Sequence, residues 1–320
     1  MTLQTSQPNG ALIVGIDIGG TKTHLRAELA GVRDPATVND HIVPSAQWRT
    51  RSWDDDAHRL LDMVDRLAAG MPVAAIGVGA HGCDDDEECK AFHRAFAALT
   101  EIPVSVVNDA ELMPLALGMT GQIGVVAGTG SIAVCRPAGG AMMSAGGWGW
   151  VIGDEGSAAG LVREAVRAVA RYFDAGGEQD EPLAKALLQA LDVPAIPRLG
   201  SALASLGGPA AIGAHAEAVF EAATNGSELA KRVIREGGQE LAQLVMHLDA
   251  RGAGASHVVA GGSVIVAQAS LWQAFSDAVS ERSLARITPH LFSGSPVEGA
   301  CRLAAALAQS STGELKCLAR

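Results

Sequence analysis

The feature that most constrains this chain is a glycine turn that directly follows an apolar strand near its start. Residues 12–18, Leu-Ile-Val-Gly-Ile-Asp-Ile, are apolar except for Gly15 and Asp17, which is typical of a strand inside a sheet. Two glycines then predict a tight turn, and residues 21–29 predict a returning strand. The sequence therefore predicts a buried hairpin with one carboxylate in its first strand.

This hairpin has two features that favour a nucleotide site. A carboxylate inside an apolar strand is costly without a partner, and a metal ion or its water shell would supply one for Asp17. Glycines have no Cβ, so backbone N–H groups and neighbouring hydroxyls can approach a phosphate. An ordinary glycine hairpin with a hydrogen-bonded Asp17 is the alternative. The candidates for phosphate binding here are Gly19, Gly20, Thr21, Lys22 and Thr23.

A second stretch further along the chain repeats this plan. Residues 122–137 contain an apolar strand, a turn of Gly128, Thr129, Gly130 and Ser131, and another apolar strand. Both turns lead into strands, unlike the Rossmann fingerprint, and neither has the Gly-Lys-Ser/Thr ending of a Walker A loop. Two such hairpins predict two related halves that face one ligand.

Composition limits the class of partner. The chain has 320 residues, which is enough for two domains, and its net charge is -11. It contains no basic run, which argues against nucleic acid or an anionic membrane as a partner. Residues 1–10 lack the charged and apolar regions of a signal peptide, and no apolar run is long enough to span a membrane. We expect a cytoplasmic protein, and a hydrophobic share of 48% favours a homodimer.

Two adjacent polar residues mark a second candidate position. Asn108 and Asp109 come directly after a predicted strand at residues 104–107, and ligands of open α/β sheets collect at the carboxyl ends of strands. One of the two can cap the helix that begins near Ala110 while the other points into a cleft. Simple capping is the alternative.

A glycine-rich loop forms a third candidate. Residues 146–156 contain five glycines, two tryptophans, Asp154 and Glu155, and a helix is predicted to begin at Ser157. Such a loop at a helix N-terminus favours an anionic or hydroxyl-rich ligand, and flat aromatic faces commonly pack on small ligands. Alternatively, the two acids only stabilise the helix dipole.

The rest of the chain predicts helices interleaved with short strands. Residues 181–251 have helical patterns throughout and show no catalytic constellation. A strand at residues 257–259 leads into Gly261 and Gly262, an open turn that can accept a flat ring. Another short strand is predicted near residues 284–287.

Taken together, these motifs resemble a known family. Two halves with Gly-Thr turns resemble the fold shared by actin, the Hsp70 ATPase and the sugar kinases. The segments GIDIGGTKT, VVNDA, GTGS, GGWGWVIGDEGSA, VVAGGSV and PVEGA resemble the N-acetylglucosamine kinase and BadF/BadG/BcrA/BcrD ATPase family over nearly the whole chain. The resemblance implies an α/β, ribonuclease H-like, actin-like ATPase fold. Each of its two domains would be a mixed β-sheet flanked by helices, with ATP and sugar in the interdomain cleft.

The resemblance also implies a domain layout. Residues 1–10 would be a disordered N-terminus, residues 11–118 the N-terminal actin-like domain, and residues 119–300 the C-terminal one. Residues 301–320 would form a C-terminal helix that packs back on the N-terminal domain.

Roles for the nucleotide side follow from the same resemblance. Asp17 would position Mg²⁺ through water, and Thr21 and Thr129 with their glycine neighbours would hold the phosphates of ATP. Asp109 takes the position of the general base that activates the sugar hydroxyl. Gly261 and Gly262 would lie beside the adenine.

Roles for the sugar side are implied as well. Gln47 stands where the family has an Asn that contacts the sugar, and Trp150 stands where some members have His. The implied sugar-binding residues are Gln47, Asn108, Asp109, Gly146, Gly147, Trp148 and Asp154.

Three functions remain open at this stage. The first is an ATP-dependent kinase for the 6-hydroxyl of N-acetylglucosamine, or of glucosamine. The second is an ATPase that activates a partner enzyme, although the sequence lacks the cysteine spacing of the iron–sulfur activators. The third is a non-catalytic, sugar-responsive regulator, since a fold does not fix function. The intact Asp109 argues against the regulator.

Overall fold

The computed structural model describes residues 10–32 and 38–318, with side chains up to residue 310. The predicted disordered N-terminus lies outside the described residues except for Gly10. The chain divides into two compact units. Unit 1 comprises the described parts of Met1–Thr120 and Gly294–Arg320, and unit 2 comprises Gly121–Ser293. Residues 294–300, which the sequence assigned to the second domain, group with unit 1.

Strands and helices alternate along both units. The strands are β1 (Leu12–Ile18), β2 (Lys22–Leu29), β3 (Asn39–Pro44), β4 (Val73–Ala80), β5 (Val104–Val107), β6 (Ile123–Ala127), β7 (Ser131–Cys135), β8 (Met143–Gly146), β9 (His257–Gly261) and β10 (Thr288–Leu291). The helices are α1 (Trp53–Ala68), α2 (Asp86–Ala97), α3 (Leu112–Ala116), α4 (Ala158–Asp174), α5 (Pro182–Ala190), α6 (Leu199–Ser205), α7 (Pro209–Gly213), α8 (Ala216–Thr224), α9 (Glu228–Ala250), α10 (Ser263–Ala267), α11 (Ala269–Arg282) and α12 (Val297–Leu318).

The two sheets have the same topology. The sheet of unit 1 has the order β3-β2-β1-β4-β5, and the sheet of unit 2 has the order β8-β7-β6-β9-β10. In both, the first three strands along the chain form an antiparallel meander, and the last two run parallel to the first. The predicted hairpins are therefore β1–β2 and β6–β7, and the prediction of two related halves, each a mixed sheet flanked by helices, is confirmed.

The core of unit 1 depends on close contact between its sheet and helix α12. Gly77 of β4 lies directly under this helix, because a Cβ built on it would stand 2.1 Å from the carbonyl oxygen of Ala300. Cys301 and Ala304 of the same helix are buried against Ile13 and Ala75. The small residues of this contact let the helix approach the strands at backbone distance.

Unit 2 buries a larger apolar cluster between its sheet and the helices α4, α5, α8, α9 and α11. The predicted strand at residues 284–287 is wrong. Leu284 and Ala285 have φ values of 52° and 58°, so the chain turns there after α11, and strand β10 begins only at Thr288. Within the described residues, every helix is too short or too polar to cross a membrane.

Candidate active site

Two acidic residues meet at the carboxyl edge of the sheet in unit 1. Strands β1, β4 and β5 run parallel, so their carboxyl ends share this edge. Asp17 pairs with Gly79 of β4 and is 8% exposed, and Asp109 is the second residue after the end of β5. Burial raises the pKa of Asp17 to about 7, and the charge of Asp109 adds to this effect while Lys22 opposes it. The two carboxylates are thus coupled through their charge.

Asp109 is partly buried and lies among several charged groups. Burial raises the pKa of its carboxyl group, and the negative charge of Asp84 raises it further. His81 and Arg49 act in the opposite direction and favour the ionised form. A carboxylate with a raised pKa beside cationic groups has the properties of a general base.

The chemistry of this edge fits a hard divalent cation. Carboxylate oxygens are the ligands that Mg²⁺ prefers, and a cation near Asp17 would offset the repulsion between the two acids. In the described part of the chain, no group of three or more His, Cys, Asp and Glu side chains is gathered as a metal site. Mg²⁺ commonly keeps several water ligands and needs only one or two carboxylates, so Asp17 suits contact through water.

The structure assigns separate tasks to the two neighbours Asn108 and Asp109. The Asn108 side chain is fully buried and accepts a hydrogen bond of 2.9 Å from the backbone N–H of Ala110. Its amide group donates to the carbonyl of Cys83 at 2.9 Å and to Asp84 at 3.2 Å. The Asn108 side chain thus caps the short helical turn and holds the loop after β4, and its contact with substrate stays a prediction.

We expect Asn108→Ala to lower the free energy of unfolding by about 1–3 kcal/mol, because it leaves a buried carbonyl and a cap N–H without their partner. Urea unfolding followed by circular dichroism measures this loss. The exposed Asn225→Ala at the end of α8 is the control and should change little. Wild-type stability in Asn108→Ala would contradict the capping role.

The first hairpin presents only part of the predicted phosphate-binding set. Gly20, Thr21 and Lys22 are exposed at its tip, and Gly19 is partly exposed. Thr23, in contrast, is fully buried, and its hydroxyl is hydrogen-bonded to the hydroxyl of Ser45 and accepts from the indole N–H of Trp48 at 3.0 Å. The prediction of a free hydroxyl at Thr23 is therefore wrong.

A 3₁₀ turn at Ser45–Gln47 carries the predicted sugar contact. Ser45 is buried and donates its hydroxyl to the carbonyl of Gly19 at 2.8 Å, so this turn is tied directly to the hairpin tip. Gln47 is exposed at the end of the same turn. The structure thus places Gln47 next to the first hairpin.

The second hairpin occupies the corresponding edge of unit 2. The carbonyl of Gly128 accepts the N–H of Ala158, the first residue of α4, at 2.8 Å. Ser131 donates its hydroxyl to the carbonyl of Glu155 and its N–H to the carboxylate of Asp154. The donors of Ser131 thus hold the glycine-rich loop, and its contact with the nucleotide stays a prediction. Thr129 stays partly exposed at the tip.

The Gly261–Gly262 turn lies beside this second hairpin. Strand β9 runs parallel to β6, with Gly261 opposite Val126. Gly262 has a φ of 112°, and a Cβ built on it would stand 2.5 Å from the carbonyl oxygen of Ala127. A side chain at residue 262 would therefore clash with the backbone that leads into the second turn.

The glycine-rich loop is fixed to the second hairpin by Asp154. This residue is 7% exposed and has a φ of 58°. Its carboxylate accepts the N–H groups of Ser131 and Gly149, which lower its pKa, although burial outweighs them and raises it. In this structure, Asp154 holds the loop against the turn of the second hairpin.

The tryptophans of this loop differ in their surroundings. Trp148 is 74% exposed and follows Gly146 and Gly147, both of which have φ values in the left-handed region. Trp150 packs against the apolar cluster of unit 2, and its carbonyl accepts a hydrogen bond from the guanidinium of Arg163. Of the two tryptophans in this loop, only Trp148 has an exposed aromatic face that a ligand could contact.

Sequence reasoning missed several residues that the structure adds to the site. His81 directly follows β4, as Asp109 follows β5, so a search for polar residues after each strand would have found it. Arg49 and Arg163 had no such signal, because their roles depend on carbonyl groups that are distant in sequence.

Comparisons with known proteins agree with this architecture. A family model described as the BadF/BadG/BcrA/BcrD ATPase family matches residues 14–304. The N-acetylmuramic acid/N-acetylglucosamine kinase of Clostridium acetobutylicum is 31% identical over 183 residues, which are 52% of this chain and 56% of that protein. The match thus spans about half the length of the curated relative.

Two solved structures show the fold at larger coverage. A candidate N-acetylglucosamine kinase from Chromobacterium violaceum has a TM-score of 0.63 and 24% identity, with 94% of this chain and 100% of that chain covered. A ROK family glucokinase from Streptomyces griseus has a TM-score of 0.54 and 19% identity, with 93% and 100% covered. The predicted two-domain, actin-like fold is confirmed. Because the family model covers most of the chain, this protein belongs to the BadF/BadG/BcrA/BcrD ATPase family.

Proposed function

We propose that this protein is an ATP-dependent amino-sugar kinase that phosphorylates the 6-hydroxyl of N-acetylglucosamine or of glucosamine. The observation that carries the proposal is the partly buried Asp109 carboxylate, whose charge acts on Asp17 at the same edge of the sheet. The name of the Clostridium acetobutylicum relative supports an N-acetylated amino sugar.

Asp109 acts as the general base in this proposal. A sugar hydroxyl is a weak nucleophile, and a carboxylate within hydrogen-bond reach accepts its proton as the oxygen attacks. Burial raises the pKa of Asp109, which makes the carboxylate a stronger base than an exposed one. The charges of His81 and Arg49 oppose this effect and favour the ionised form of Asp109.

The two hairpin tips hold the phosphates. Backbone N–H groups near Gly20 and Thr21, with the Lys22 ammonium, form one cradle, and Thr129 with Gly130 forms the other. Asp17 would hold Mg²⁺ through water, and the ion would neutralise charge on the transferring phosphoryl group. Phosphoryl transfer requires mainly such positioning and neutralisation.

The remaining residues recognise the two substrates. Gln47 and the exposed face of Trp148 contact the sugar, together with the backbone of Gly146 and Gly147. The open turn at Gly262 receives the adenine ring.

A sugar panel tests this function. ADP release from Mg-ATP is measured with N-acetylglucosamine, glucosamine, glucose and no sugar. The proposal predicts release that depends on an amino sugar. Equal release without sugar would replace it with a partner-activating ATPase, and no release under any condition would favour a non-catalytic regulator.

We expect Asp154→Ala to raise the KM for the sugar by about tenfold or more and the KM for ATP far less, because the loop that carries Trp148 loses its brace. Steady-state kinetics with each substrate varied in turn measures the split. Glu155→Ala removes the adjacent acid and is the control. An equal rise in both KM values would place Asp154 on the nucleotide side instead.

A further inference from the structure

Arg49 is a buried cation at the edge of unit 1 that carries Asp109. Its side chain is only 10% exposed, and burial lowers the pKa of its guanidinium. The nearest counter-charge is Asp56, at 3.7 Å from Nε and itself 1% exposed. Asp56 is shared, because its carboxylate also accepts the N–H groups of Thr50 and Arg51. Because burial of a charge is costly, we expect a cation in such a position to have a structural or functional role.

The guanidinium connects two segments of the candidate site. Its Nη2 donates a hydrogen bond of 2.6 Å to the carbonyl of His81, and the N–H of His81 donates to Ile18 at 2.8 Å. The backbone N–H of Arg49 donates to the carbonyl of Ser45 at 3.0 Å. Arg49 therefore ties the 3₁₀ turn that carries Gln47 to the loop that carries His81.

These hydrogen bonds also connect Arg49 to the tip of the first hairpin, and its charge acts on Asp109. Ser45 bonds the carbonyl of Gly19 through its hydroxyl, so the turn, the hairpin and the His81 loop form one connected set. The charged groups facing Asp109 are His81, Arg49, Asp84 and Asp17. Arg49 thus holds the backbone of one of these groups and adds its own positive charge beside the base.

We propose that Arg49 is a positioning residue for the acceptor sugar: it fixes the Gln47 turn to the His81 loop, which follows the strand next to the one that precedes Asp109. The inference rests on the proposed kinase function and deepens it, because it names the residue that sets the geometry of the acceptor half. In this proposal Arg49 does not contact the sugar itself; it acts through the His81 loop and the Gln47 turn. The planar guanidinium lets Nη2 reach the carbonyl of His81 while Nε faces Asp56. A lysine ammonium cannot make both contacts.

The test compares three variants with the wild type. Arg49→Met removes the charge and keeps much of the length, Arg49→Lys keeps the charge without the fork, and Arg51→Met is the control. Arg51 has an exposed side chain on the same segment, so its variant matches the loss of one positive charge. Sugar KM, ATP KM and kcat are measured, together with hydrogen exchange of the amides in residues 45–50 and 81–84.

The expected result is a loss of about 10- to 100-fold in kcat/KM for the sugar in both Arg49 variants, with ATP KM within about twofold of wild type. Amides in both segments exchange at least about tenfold faster in both variants, because the hydrogen bond from the Arg49 guanidinium to the His81 carbonyl is lost. Arg51→Met behaves like the wild type.

Three results would overturn the inference: a wild-type sugar KM in Arg49→Lys, an equal rise in sugar KM and ATP KM, or unchanged exchange in both segments. The exchange measurement needs no turnover. A wild type without sugar-dependent activity would therefore refute the kinase while the exchange data still decide whether Arg49 ties the two segments.

Discussion

Asp109→Asn is expected to lower sugar-dependent turnover by about a hundredfold or more, which is the cost of losing a general base. The asparagine keeps the size of the side chain and cannot accept the proton from the sugar hydroxyl. Removal of a negative charge that burial disfavours should leave the fold intact. ATP affinity, measured by calorimetry, should stay close to that of the wild type, while steady-state ADP release falls.

The pH dependence of the wild type is a second test of the same assignment. Because the pKa of Asp109 is raised, its base form appears only as the pH rises above the ordinary range of a carboxylate. The acidic limb of kcat/KM should therefore lie above pH 4, and Glu87→Gln, which changes an exposed acid of unit 1, should not move it. Wild-type turnover in Asp109→Asn would contradict the assigned role.

Asp17→Asn should abolish most Mg²⁺-dependent turnover and yet stabilise the metal-free protein at pH 8. Burial raises the pKa of Asp17 from 3.8 to about 7, so the folded state binds more protons than the unfolded state between these values. The free energy of unfolding of the wild type then falls as the pH rises through this window, and the loss is complete above pH 7. At about 1.4 kcal/mol per pKa unit, the loss reaches at most about 4 kcal/mol.

Urea unfolding in EDTA and in Mg²⁺ measures this prediction. In EDTA, Asp17→Asn should exceed the wild type in stability at pH 8, and the difference should vanish near pH 4. Mg²⁺ should stabilise the wild type at pH 8 and leave the variant unchanged. If Mg²⁺ stabilises both proteins equally, Asp17 does not position the metal.

Local sequence signals predicted the hairpins well. The apolar strand before each glycine turn and the apolar strand after it encode β1–β2 and β6–β7 without distant contacts. The topology that the two sheets share followed from this repeat. The sequence also predicted a helix from Ser157, and in the structure Ser157 is the N-cap of α4, where its hydroxyl accepts the N–H of Gly160.

Side-chain roles that depend on distant partners could not be predicted. Thr23 looked like a phosphate ligand beside glycines, but Trp48 and Ser45 occupy its hydroxyl. From the sequence, Asn108 and Asp109 were equal candidates for the residue that points toward the ligand. The structure shows that Asn108 donates to the carbonyl of Cys83 and caps the helical turn. Each side chain has a partner more than twenty residues away in sequence, Trp48 for Thr23 and Cys83 for Asn108.

The predicted strand at residues 284–287 shows a different limit. Its apolar residues suggested a strand, but the end of α11 takes two consecutive residues, Leu284 and Ala285, through the left-handed region. Neither is a glycine, so no residue type marked the turn. Strand β10 starts only where Thr288 pairs with His257 of β9.

The most direct test of the account is identification of the product made from ATP and N-acetylglucosamine by the wild type and by Asp109→Asn. Phosphorus and carbon NMR of the reaction locate any phosphate on the sugar. The account predicts a phosphate on the 6-oxygen with the wild type and almost none with the variant. A product phosphorylated elsewhere, free phosphate without sugar phosphate, or equal product from both proteins would contradict it.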